Sequence, residues 1–143
     1  MTRRQLVTVA VLGHVALAAW CIVISARNSF DPGHYRNFYN HPETFVPPVD
    51  DIAWWCGAIA VEVTVASWIL KLVRSTAAAS LLLAVIAALA TLAMAPLAMH
   101  APPYFGMHIV FTTFSTAWLL LVAIVARLAG PRHTLAAPTA DPR

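Results

Sequence analysis

Glu62 is the only acidic side chain well inside any of the long apolar stretches of the chain. An ionised acid at the middle of a bilayer costs several kcal/mol, so such a residue turns toward the protein interior and has a partner or a task. Its depth follows from helix geometry, at about 1.5 Å of rise per residue. Glu62 stands nine residues from Lys71, and His14 stands nine residues from Gln5. Each is thus about 13.5 Å from the same end of its stretch. Thr91, nine residues from His100, joins that level. These positions predict a His14–Glu62 pair within hydrogen-bonding reach, directly or through one water.

A fourth stretch adds a polar stripe. His108, Thr112, Ser115 and Thr116 follow i, i+4, i+7, i+8 spacing, which keeps them on one helical face. If all these faces turn inward, a polar pocket around His14, Glu62, Thr91, Thr112, Ser115 and Thr116 could bind a proton, a lipid or a quinone. The plainer reading is structural. Ser and Thr in membrane helices bond their own backbone or join helices, at about 1 kcal/mol or less per contact. A His–Glu pair can equally be a packing lock.

His34, His41, His100 and His108 form a second candidate set, on the side of the chain expected to face outward. Two Met-His pairs, Met99-His100 and Met107-His108, stand near an acidic loop. Imidazole, thioether and carboxylate would suit copper or zinc. None of the spacings matches a recognised metal motif, and histidine at a membrane interface is the stronger reading. No cofactor is therefore assigned from these residues. Cys21 and Cys56 are too few for a disulfide framework. Helical phase also turns them apart if His14 meets Glu62, so free thiols are expected.

The elements that must position these residues are long and apolar. Of the 143 residues, 60% are hydrophobic and only 10% charged, too little polar surface to cover a water-soluble fold. A hydrocarbon core needs about 20 apolar residues to cross. Four stretches qualify, at about 5–25, 52–73, 77–100 and 107–128. The expected fold is an all-α, integral membrane four-helix bundle, a single domain over 1–130 with a flexible tail at 131–143. Pro96 is expected to kink the third helix near its outer end. The small residues Ala84, Ala87, Ala88, Ala93 and Ala95 let its backbone approach neighbours closely.

Basic residues set the orientation. With both termini inside, Arg3, Arg4, Lys71, Arg74, Arg127, Arg132 and Arg143 lie in the cytoplasm, and only Arg27 and Arg36 outside. Such a bias predicts an N-in, C-in protein of the cytoplasmic membrane. Trp20, Trp54, Trp55 and Tyr104 then mark the outer interface and Trp68 the inner one. The first stretch faintly resembles a twin-arginine signal at Arg3-Arg4 and a lipoprotein box at Leu17–Cys21. It is too long for a signal core, and bulky Trp20 precedes the cysteine, so a retained helix is expected. The net charge of +3 comes with no basic run, which argues against a nucleic-acid partner.

The first outer loop, 27–51, is aromatic. Asp31-Pro32 makes a good helix start, and His41-Pro42 a stop. A short interfacial helix is expected over about 32–40, with Tyr35, Phe38 and Tyr39 on one face for lipid, the bundle or a partner chain. The chain lacks nucleotide-binding glycine loops, an HExxH pattern, a nucleophile elbow and a CxxC pair. Three functions follow. The first is an accessory subunit of a larger membrane complex, with lipids and other subunits as partners and no chemistry of its own. The second is a lipid-, quinone- or proton-binding protein built on the His14–Glu62 pocket. The weakest is a metal-dependent enzyme using the outer histidines.

Overall fold

The computed structural model describes residues 2–31, 49–98 and 103–129, and these are all helix or short connection. Four helices follow in order: α1 (Arg3–Ser29), α2 (Val49–Leu72), α3 (Thr76–Ala98) and α4 (Pro103–Leu128). Each is long and apolar enough to cross a membrane. The expected loop helix at 32–40, with Tyr35, Phe38 and Tyr39, and the tail at 131–143 lie outside the described residues.

Local chemistry sets the helix ends. Thr2 and Gln5 form a capping box: the Gln5 N–H donates to the Thr2 hydroxyl, and the Thr2 N–H donates to the Gln5 amide oxygen. Asp50 and Asp51 sit in the first turn of α2, where the helix dipole favours negative charge. The last turn of α2 is closed from another helix. The Arg3 guanidinium donates to the carbonyls of Lys71, Val73 and Arg74 at 2.9, 2.8 and 3.1 Å. These are the acceptors that a helix C-terminus leaves without intrahelical partners. Ser75 then starts α3 by accepting from the Ala78 N–H.

The ends differ from the hydropathy reading by a few residues, with physical causes. Polar Arg27 and Asn28 end an apolar window but not a helix, so α1 runs on to Ser29. Pro103 suits a first helical position, which starts α4 four residues before Met107. Pro96 lies inside α3, which continues past it to Ala98.

The helices are apolar around most of their circumference, as expected of a bundle facing hydrocarbon. Leu12, Val23, Val61, Leu89, Leu92 and Ile124 are each more than half exposed. Two apolar clusters fill the interior. One, at the end holding the α2–α3 turn, packs Val7, Leu70, Ala79, Leu83 and Leu119. The other, toward the opposite end, packs Cys21, Ile59, Val63, Met107 and Phe111. Cys21 and Cys56 are free thiols.

α4 touches all three other helices, and α2 and α3 meet each other only slightly. It meets α1 closely at Trp118, whose indole donates to the Ala10 carbonyl at 3.0 Å. A Cβ on Gly13 would fall 2.2 Å from that indole ring. Glycine at this position is therefore a matter of space between two helices rather than of backbone angle.

Candidate functional site

Polar contacts run alongside and between the two apolar clusters, and α4 supplies one side of each. His108, Thr112 and Ser115 are all buried, at 5%, 2% and 2% exposure. His108 Nε2 pairs with the Glu62 carboxylate of α2. Thr112 accepts from the Thr91 hydroxyl of α3 at 2.8 Å. Ser115 meets His14 Nε2 of α1 at 3.1 Å. A single stripe at i, i+4, i+7 spacing thus joins α4 to every other helix by at least one polar contact. Thr116, the fourth member, bonds the Thr112 carbonyl of its own helix at 2.8 Å and joins nothing else among the described residues.

The expected direct His14–Glu62 pair does not form. The two do share a cavity, but Glu62 turns to His108 and His14 to Ser115. Equal depth along two helices fixes neither the direction of a side chain nor the tilt of a third helix. His108, at the edge of its apolar window, is buried rather than open at that end of the bundle. α4 begins at Pro103, so His108 lies in its second turn, buried beneath the Trp55 ring at a centroid distance of 5.2 Å. Both of its ring nitrogens have protein partners, Glu62 on Nε2 and the Met94 sulfur at 3.0 Å on Nδ1. His34, His41 and His100, the other members of the proposed metal set, lie outside the described residues.

A thioether sulfur only accepts, so a hydrogen bond to Met94 requires the hydrogen on His108 Nδ1. The contact between Nε2 and Glu62 Oε1 needs a second proton, held by one atom or the other. The pair is then net neutral in either case, as imidazolium with carboxylate or as imidazole with carboxylic acid. In both cases Glu62 Oε2 remains an acceptor, and it has no hydrogen-bond partner among the described residues. At His14, donation from the Ser115 hydroxyl to Nε2 leaves one orphan, the Nδ1–H; the reverse assignment would leave two. The His14 ring also stacks on Phe111, centroids 5.3 Å apart and planes 13° from parallel.

These groups border a cavity of about 270 Å³. Its floor is His14 of α1 with Phe111, Thr112, Ser115 and Leu119 of α4, all buried. Its walls are α2 and α3. The wall residues Val61, Val65 and Ile86 are 63%, 51% and 52% exposed, which places the mouth between those two helices, facing outward from the bundle. Glu62 lines the cavity with its side chain 41% exposed, while its partner His108 is almost enclosed. Thr91 touches the floor through Thr112 but does not line the cavity, and neither does Thr116.

Met94, Trp55 and Phe111 belong to the site and were not singled out from sequence. Met94 follows Thr91 by three residues, the spacing of a shared helical face, and that signal was available. Trp55 read equally well as an interfacial anchor. No family model, curated protein or solved structure matches the chain.

Proposed function

We propose that this chain is an integral protein of the cytoplasmic membrane, with both termini inside, that holds a bilayer-borne amphiphile in the groove between α2 and α3. The lipid or quinone enters sideways, with its apolar part against the α2 and α3 walls and its polar head toward Glu62 and His14. One observation carries this reading: a carboxyl side chain 41% exposed opens onto a cavity whose mouth is otherwise apolar. A carboxyl needed only to lock the bundle would be expected to be as enclosed as His108. Ligand sites have the same general make-up, mostly apolar with a few placed polar groups. The seven-to-two split of basic residues supports the orientation.

The test is to purify the protein from its native membrane in mild detergent and analyse bound small molecules by mass spectrometry. One amphiphile at near-equal molar amount is expected. It should be lost in Ala90→Phe, which fills the groove from α3. An empty wild-type protein, or an amphiphile retained unchanged by Ala90→Phe, would overturn the groove reading.

A second reading, an accessory subunit of a larger membrane complex, draws support from the three polar links that tie α4 to every other helix. Such links make a rigid unit for partners to pack against. The same purification reads it through co-purifying subunits. Accessory action alone predicts that Ala90→Phe leaves both the partners and the activity of the complex unchanged.

A further inference from the structure

If the groove binds an amphiphile, its unpaired polar group should decide which one, and here the inference rests on the reading above. Glu62 Oε1 is committed to His108, and Oε2 is left without a partner among the described residues. The proton of the pair lies on the Oε1 side whichever atom holds it. Glu62 Oε2 therefore offers an acceptor from a pair with no net charge, while the orphan Nδ1–H of His14, which also lines the cavity, is a donor.

Among the described residues, no Lys or Arg lines the cavity. An anionic head would find no counter-charge there and would face an acceptor already rich in electrons. A head that only accepts, such as an ester or ether, would leave Oε2 unpaired.

We infer that the groove selects a lipid alcohol from the bilayer, whose hydroxyl donates to Glu62 Oε2 while its apolar part lies between α2 and α3. His108 acts as a positioning residue. Held by Met94 and covered by Trp55, it fixes the carboxyl so that one oxygen is always occupied and the other always free.

The experiment uses the full chain in nanodiscs and a photoreactive long-chain alcohol, competed by unlabelled compounds of equal chain length. In wild type the free alcohol should compete about five- to tenfold better than its methyl ether, the difference one net hydrogen bond makes. The corresponding fatty acid should compete no better than the ether. In Glu62→Met, which keeps the length and removes both oxygens, the alcohol and the ether should compete equally. The wild-type comparison needs no variant, so a poorly folded Glu62→Met does not remove the test.

Equal competition by alcohol and ether in wild type, both abolished by Ala90→Phe, would overturn the inference and leave the groove reading standing. Preference for the fatty acid would overturn it too. Labelling that Ala90→Phe does not reduce would remove the groove reading itself.

Discussion

Glu62 pairs with His108, seven residues along α4 from Ser115, the residue that meets His14. Seven residues are about 10.5 Å of helix. The Arg3 contacts to the end of α2 nevertheless put His14 and Glu62 at similar distances from that end of the bundle. His108→Leu should leave both Glu62 and Met94 without this partner and lower stability by about 1–3 kcal/mol. His108→Gln, which keeps a donor for the carboxylate, should recover part of that loss, and Glu62→Gln should keep the fold. Unfolding in detergent micelles measures all three. Equal losses for Leu and Gln at position 108 would mean that His108 contributes only its packing beneath Trp55.

Gly13 and Trp118 set how closely α1 and α4 approach. Gly13→Ala puts a methyl group where the indole stands, and that indole is held by its bond to Ala10. Overpacking of this kind costs about 1–3 kcal/mol. In a Trp118→Ala background the penalty should largely vanish, so the two substitutions are expected to be strongly non-additive. Additive effects would count against the contact.

Arg3 closes the end of α2 from the first turn of α1. The contact is exposed, so Arg3→Ala should change global stability by no more than about 1 kcal/mol. Its effect should be local. Amide hydrogen exchange should quicken in the last turn of α2, around Leu70 to Val73, and stay unchanged at its middle. Unaltered exchange in that turn would show that the carbonyls are satisfied without Arg3.

The proposed orientation is checked by cysteine labelling at introduced sites. Positions 37 and 103 should react from outside intact cells, and position 75 only after permeabilisation. Reaction at position 75 in intact cells would reverse the assignment.

The four helices were legible because length and hydropathy are properties of a stretch, and each stretch is bounded by charge, proline or a polar turn. The α4 stripe was legible for a similar reason, since i, i+4, i+7 spacing is fixed within one helix. Which residue each member meets was not. Pairing depends on how each helix is rotated and tilted against its neighbours, and contacts such as Trp118 against Gly13 determine that. Thr116 shows the limit from the other side: it shares the face of Ser115 yet bonds its own backbone. The cavity was half legible. His14, Glu62, Thr112 and Ser115 border it, but its mouth follows from the slight contact between α2 and α3, which no residue pattern announces.

The polar layer has an order in time as well as in space. α4 is the last of the four helices to leave the ribosome, and it carries the partners of both His14 and Glu62. Until it arrives, the three earlier helices hold an imidazole and a carboxyl in the bilayer with neither contact made. The nascent protein is thus marked as incomplete by the same groups that later hold it together. A chain arrested before Pro103 would present an unpaired acid within the membrane, the kind of feature by which surveillance machinery could tell an orphaned fragment from a finished bundle.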